Sequence, residues 1–347
     1  MSEPRDEPGM PLFAGIQTFM RLPYEPEIGR ADVVFLGLPF DVSTVYRPGA
    51  RFGPAGIRAA SGRLAGASYN PAQRIDVFEL LTAVDAGDAP VVPGNVERSL
   101  ALMQAAVTGV HETGALPLCL GGDHAVTLAE LRAAAQRHGQ LGLVLFDAHH
   151  DFWDDLYGER HGHGSWLRRA FDEGLVDARR STLLGLRGSP GGVDLDDLRE
   201  LGFVVYPFDD LMALGTGAVA SAVERAAGKT FLSFDIDFVD PAFAPGTGVA
   251  EVGGPTSAQA LALLRACRGL DLVGADVVEV LPDLDHAQIT GLLAAAVAYE
   301  ILTLVACARA AGPVGGPGGG TGASAGPSAA DGTGGSEGPS VGAGGVS

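Results

Sequence analysis

The chain alternates between short apolar runs and longer segments of helical spacing. Runs rich in Val, Leu, Ile and Phe occupy 32–38 (DVVFLGL), 115–120 (ALPLCL), 141–146 (LGLVLF), 181–186 (STLLGL), 203–207 (FVVYP), 230–234 (TFLSF) and 272–280 (LVGADVVEV). At 96–111, 124–138, 210–227, 256–268 and 287–310, apolar residues instead recur every three to four positions, the spacing of one helix face. Strands that are apolar throughout are buried on both faces. Alternated with helices, they predict an α/β protein with a mainly parallel sheet covered on both sides.

Polar residues able to do chemistry gather where these runs end. GGDHAVT follows the run at 115–120, DAHHD follows 141–146, DIDFVD follows 230–234, and Glu279 lies near the end of 272–280. Parallel sheets place their ligand sites at the carboxyl ends of the strands. The stretch DAHHDFWDD (147–155) is the densest, with four acids and two histidines. Carboxylates crowded this closely repel one another and are costly to bury without positive charge.

Asp147-x-His149-x-Asp151 has a spacing of two, so its side chains point together just beyond the sheet. Asp235-x-Asp237 repeats that spacing on a second strand, and His124 adds an imidazole at a helix start. Two imidazoles and four carboxylates are enough to hold two divalent cations if some carboxylates bridge. Oxygen and nitrogen donors without thiolate disfavour soft ions and cysteine-type structural zinc. They suit Mn²⁺, with Ni²⁺, Co²⁺ or Zn²⁺ as alternatives. Two ions ~3.5–4 Å apart can share a water and lower its pKa toward ~7. Two divalent ions balance the four carboxylates, so a bridging hydroxide leaves the cluster negative and Glu279 adds to this. Such a pocket favours a cationic electrophile and repels a phosphate ester.

Composition narrows the class further. The chain of 347 residues is 46% hydrophobic and 19% charged, with a formal charge of −19. That balance gives a sizeable core and argues against nucleic acid, which demands basic patches. Cys119, Cys267 and Cys307 form no CxxC pair and read as reduced core residues of a cytoplasmic protein. No signal peptide is indicated at the N-terminus, no run reaches the ~20 residues of a bilayer span, and no membrane partner is expected. From Gly312 onward, 15 of 36 residues are glycine, a composition that cannot offset its ordering entropy. Residues 312–347 are therefore expected to be a disordered tail and 1–9 a flexible N-terminus, around one catalytic domain over 10–311.

The quoted motifs, together with HGHGSWLRRA, SFDIDFVDPAFAPGTG and DVVEV, resemble the ureohydrolase superfamily, which includes arginase and agmatinase. IQTFMRLP and YRPGARFGPAGIRAAS are similar to its agmatinase and guanidino-acid hydrolase branch. The resemblance covers nearly all of 10–311. It implies a three-layer α/β/α sandwich around a parallel sheet of about eight strands, holding two Mn²⁺ ions. His124 and Asp151 would bind one ion, His149 and Asp237 the other, and Asp147 and Asp235 would bridge both. The implied reaction adds an activated hydroxide to a guanidinium carbon and releases urea and an amine. His163, Glu279 and Asp151 form the implied catalytic set. Glu279 would pair with the guanidinium in bidentate fashion, and His163, in preference to His161, would carry the proton to the departing amine. Trimers or hexamers are implied as well.

The chain departs from the family pattern in places. His150 stands where a small hydroxyl residue is usual, the Trp153–Arg160 segment is distinctive, and VAEVGGP follows PGTG. Agmatine is the expected substrate, because Asp154, Asp155 and Glu159 would attract its distal ammonium. Arg160 would instead favour a guanidino acid such as 4-guanidinobutanoate or 3-guanidinopropanoate. A metal-binding pseudoenzyme with a scaffold role and a zinc deacetylase are the readings from other classes. The intact ligand set with Glu279 opposes the first, and the paired two-metal motifs oppose the second. Gly121 and Gly122 are expected to make a tight strand-to-helix turn. Arg47 and Arg51 read as pocket-mouth or interface residues.

Overall fold

The computed structural model describes residues 11–189 and 193–312. The expectations for 1–9 and for the tail beyond Gly312 lie outside the described residues. The strands are Val33–Leu38 (β1), Tyr69–Asn70 (β2), Ile75–Asp76 (β3), Ala83–Asp88 (β4), Leu116–Gly121 (β5), Gly142–Phe146 (β6), Thr182–Leu186 (β7), Val204–Pro207 (β8), Lys229–Asp235 (β9) and Asp271–Val278 (β10). β2 and β3 form a small antiparallel pair. The other eight make one sheet in the order β4-β1-β5-β10-β9-β6-β7-β8, and every pairing within it is parallel.

Period-two alternation along the strands builds two separate cores. In β1, Val33 and Phe35 join one apolar cluster while Val34, Leu36 and Leu38 join the other. In β6, Val144 and Phe146 face the first and Leu143 and Leu145 the second. The helices follow this division. Gly53–Ser61 (α1), Val96–Thr113 (α2), Val126–His138 (α3), Trp166–Asp172 (α4), Leu195–Leu201 (α5), Phe208–Leu214 (α6), Thr216–Arg225 (α7), Ser257–Arg265 (α8) and Ile289–Ala311 (α9) connect the strands. Residues of α1 and α6–α9 complete the first core, and residues of α2–α5 the second. The result is the expected three-layer sandwich with eight parallel strands.

Three local differences have physical causes. β4 escapes a search for apolar runs because AVDAGD carries two acids, yet it pairs at the sheet edge. Asp85 is tolerated there because it accepts hydrogen bonds from Arg58 Nε (2.8 Å) and Nη2 (2.9 Å) and from the Phe19 amide (2.7 Å). The single helix expected over 210–227 is two, broken at Gly215, whose φ of 56° lies in the left-handed region that glycine enters without steric cost. α9 has the length and apolar composition of a bilayer span, contrary to the reading of apolar runs, but the fold buries 78% of its most apolar window. It serves as a core helix against the sheet.

Candidate functional site

β5, β10, β9 and β6 are consecutive at the centre of the sheet, so the polar sequences after them converge on one edge. Local turn geometry aims the carboxylates. In each D-x-[HD] segment the amide two residues on donates to the first side chain: His149 N to Asp147 Oδ1 at 2.6 Å and Asp237 N to Asp235 Oδ1 at 2.8 Å. Asp237 Oδ1 accepts from the Ala148 amide at 3.2 Å. One oxygen of each acid is thereby pinned by backbone, an Asx-turn habit, and the other is left to face the centre.

There the second oxygens meet the imidazoles. His124 Nδ1 lies 3.1 Å from Asp147 Oδ2, 3.1 Å from Asp151 Oδ2 and 3.0 Å from Asp235 Oδ2. His149 Nδ1 lies 3.0 Å from Asp237 Oδ2 and 3.6 Å from Asp147 Oδ1. Two groups, His124–Asp147–Asp235 and Asp147–His149–Asp237, each have the spacing to hold a metal ion and share Asp147. Asp151 joins through His124 and also accepts from Trp166 Nε1 at 2.8 Å. All six residues expected as ligands are brought together.

The other nitrogen of His124 decides its tautomer. Ser233 Oγ gives its only proton to Asp276 Oδ1 (2.6 Å), and Thr127 Oγ1 donates to Asp276 Oδ2 (2.6 Å). Ser233 Oγ must therefore accept from His124 Nε2–H at 2.8 Å, which directs Nδ1 at three carboxylate oxygens. Outer hydrogen bonds of this kind fix metal-ligating histidines. His124 Nδ1 and Asp147 Oδ2 have no hydrogen-bond partner although buried. Burial together with Asp151 and Asp237 pushes Asp147 up to about 6, and burial with the same kind of acid crowding drives Asp235 well upward. Burial opposes protonation of His124 and His149, but the surrounding carboxylates outweigh it and drive both well upward. Protons thus occupy the place of positive charge, and divalent cations fit the cluster in donor type and in charge.

Beside the cluster, His163 Nδ1 and Glu279 Oε1 are 2.9 Å apart. The Val45 amide, which can only donate, points at His163 Nε2 at 3.2 Å. In the neutral ring this contact leaves Nε2 as the acceptor and turns the Nδ1 proton toward Glu279. Burial opposes protonation of His163, but Glu279, Asp123 and Asp151 outweigh it and push its pKa up to about 9. Burial and Glu279 push Asp123 up to about 7. Glu279 Oε1 also accepts from the His124 amide at 2.9 Å, while buried Oε2 has no partner. A bidentate clasp of a guanidinium, expected from sequence, would need both oxygens. The geometry offers Oε2 alone. Glu279 and Asp151 have φ of 62° and 48°, sparsely populated values for non-glycine residues that the surrounding fold must enforce.

These groups open on a cavity of about 240 Å³ lined by Val45, Trp153, Asp155, Leu156, Tyr157 and Val249 as well as His149, Asp151, His163, Asp235, Asp237 and Glu279. That volume is below the ~300–1,000 Å³ of drug-sized sites and suits a small ligand. Among the described residues lining it there is no Lys or Arg. Two of the three acids expected to recruit an ammonium are turned elsewhere. Asp154 accepts from Arg169 Nη2 (2.6 Å) and Arg160 Nη2 (3.2 Å), and Glu159 Oε1 accepts from the His161 amide (2.8 Å). Arg160 is accordingly held on Asp154, outside the cavity, and His161 is outside it too. Asp155 lines it. His150 is buried and packs its ring against Trp153, centroids 4.4 Å apart.

Sequence reasoning overlooked three supports. Arg187 donates to the carbonyls of Phe238 (2.9 Å), Asp237 (2.8 Å) and Glu251 (2.9 Å), tying down the loop after β9. Ser233 and Asp276 hold His124, and the loop containing Val45 covers His163. No spacing signal links Val45 to His163, 118 positions away. Gly122 matters for space rather than for turn conformation, since a Cβ there would collide with the Phe40 carbonyl. Gly122→Ala is expected to lower stability by about 1–3 kcal/mol, the usual cost of overpacking. An unchanged melting temperature would contradict this.

Residues 31–303 match the family described as the Arginase family. The chain is 44% identical over 308 residues to the guanidinopropionase of Pseudomonas aeruginosa, covering 88% of this chain and 96% of that protein. It is 38% identical over 294 residues to the mitochondrial agmatinase of Gallus gallus, covering 84% of this chain and 86% of the relative. The structure of proclavaminate amidino hydrolase from Streptomyces clavuligerus superposes with a TM-score of 0.82 at 42% identity, over 86% of this chain and 100% of that one. The chain belongs to the arginase family. It is a metal-dependent amidinohydrolase acting on the C–N bonds of guanidino compounds.

Proposed function

We propose that this chain hydrolyses a small ω-guanidino compound to urea and an amine at a centre of two Mn²⁺ ions. His124, Asp147, His149, Asp151, Asp235 and Asp237 would hold them. The observation that carries the metal assignment is the convergence of three carboxylate oxygens on His124 Nδ1 at 3.0–3.1 Å. When bound, such a pair of ions supplies a water acidified toward pKa ~7.

The chain's own residues do the rest. Glu279 Oε2, buried and unpartnered, accepts a guanidinium N–H and orients the flat group against the acid cluster. Asp151 faces the same space. As the imidazolium, which its raised pKa of about 9 favours, His163 beside Glu279 gives one proton to the departing amine and returns to the neutral form. Trp153, Leu156 and Val249 form an apolar wall that receives methylene groups and excludes water.

Selectivity then rests on the far end of the cavity. Asp155 is the acid lining it, with no cation beside it among the described residues, which supports a distal ammonium and hence agmatine. The 44% identical relative named guanidinopropionase supports the second reading, a guanidino acid such as 3-guanidinopropanoate or 4-guanidinobutanoate. Specificity constants for urea release from these compounds and from arginine separate the two. If Asp155 selects by charge, Asp155→Asn is expected to lower kcat/KM for agmatine roughly tenfold, about 1.4 kcal/mol, without harming the guanidino acids. Equal losses on every substrate would contradict selection by charge. The three cysteines are free and buried, which supports a reducing, cytoplasmic setting. The proposed trimer or hexamer is tested by light scattering.

A further inference from the structure

The segment YRPGARFGP, which the mechanism leaves unused, belongs to a loop with an organised interior. At its base, buried Asp41 accepts from the Gly49 amide (2.6 Å) and the Arg51 amide (3.2 Å), and pairs with the Arg51 guanidinium. One carboxylate thus ties both ends of residues 41–51 together. Inside the closure, Ser43 Oγ and Thr44 Oγ1 reach Asp123 Oδ2 at 3.4 and 3.3 Å. Ser43 Oγ also reaches the His161 carbonyl at 3.5 Å. The Val45 amide then meets His163 Nε2, and the Val45 side chain lines the cavity.

We infer that Asp41 is a positioning residue for catalysis: by closing the loop 41–51 it holds the Val45 N–H against His163 Nε2, which fixes the imidazole ring with Nδ1 beside Glu279. The ring is met at both nitrogens, by the Val45 amide at Nε2 and by Glu279 Oε1 at Nδ1, so moving the loop moves the ring. Val45 sits on an irregular segment with no ladder of its own to hold it. Its place is set by the Asp41 closure, whose carboxylate is fully buried and takes an ionised donor, the stronger class of hydrogen bond. Arg51 therefore has a role inside this chain. Arg47 is not part of the closure.

The inference rests on His163 as the proton donor, and the test separates the two. In the metal-loaded protein, Asp41→Asn is expected to lower kcat roughly tenfold to hundredfold, the scale on which a small misplacement of a catalytic group acts. KM and metal content should be little changed. Independently of turnover, the loosened loop should expose His163 Nε2 to diethyl pyrocarbonate, which acylates unprotonated imidazole nitrogen. Mass spectrometry should then find His163 labelled several-fold faster, with the rate at His111, buried on α2, unchanged. Val45→Pro removes the N–H itself and should reproduce both effects even if Asp41→Asn does not fold. An unchanged kcat overturns the inference, and so does faster labelling of His163 and His111 together, which would mean general loosening. If His163→Asn alone keeps full turnover, the proton-donor reading falls, whatever the labelling shows.

Discussion

Replacing His163 by asparagine is expected to lower kcat by about 10²–10⁴, the usual contribution of a general acid–base group, while two metal ions remain bound. The geometry makes this substitution informative. His163 touches Glu279 and the Val45 amide and belongs to neither group of metal-spaced residues, so its loss removes a proton donor without removing a ligand. Asparagine can still donate to Glu279 and hold the pocket's shape, but it has no proton to give at neutral pH. His161→Asn is the control, because its side chain lies outside the cavity, near Glu159. It is expected to change kcat little. A reversal of the two results would show that the proton donor of HGHGSW is two residues earlier than assigned. Metal content and kcat measured on both variants decide the matter.

The second large effect concerns Asp147, the one residue common to both metal-spaced groups. Asp147→Asn is expected to leave fewer than two ions per chain and to reduce turnover to background. Loss of a shared ligand weakens both positions, so adding excess Mn²⁺ should not restore full activity. The unloaded protein carries a buried cluster that must take up protons in place of cations, as the upward shifts of Asp147 and Asp235 express. Metal binding should therefore stabilise the fold. At free metal one hundred times the dissociation constant the gain is ~2.7 kcal/mol. Thermal unfolding with and without Mn²⁺ measures it for the native chain, and the gain should be smaller for Asp147→Asn. Two ions per chain and normal turnover in that variant would remove Asp147 from the centre.

Much of this could be read from the chain itself, for reasons that also explain the gaps. Apolar strands such as LGLVLF announce themselves because burial on both faces leaves no polar position in the run. The ligand residues follow from them, since a spacing of two beyond a strand end fixes which side chains point together. AVDAGD was invisible to the same logic, because Asp85 is buried only by virtue of Arg58 on α1, a contact between distant segments. Asp154 and Glu159 were read as pocket acids from their composition, yet side-chain direction in an irregular segment has no period to read. Arg169 and the His161 amide claimed them. The same limitation hid Val45 and Asp41. Nor does sequence say how many donors converge on one oxygen, as the His124 amide and His163 do on Glu279 Oε1.

The central claim is that two divalent ions held by these six ligands allow the chain to release urea from a guanidino compound. The most direct test is to strip the purified protein of metal with chelator, titrate Mn²⁺ back, and follow urea release from agmatine, 3-guanidinopropanoate and 4-guanidinobutanoate together with ions bound per chain. The expected result is no urea from the stripped protein, and activity on at least one of the three that rises with metal and saturates at two ions per chain. Full turnover by demonstrably metal-free protein would contradict the account, as would no urea from any of the three compounds with two ions bound.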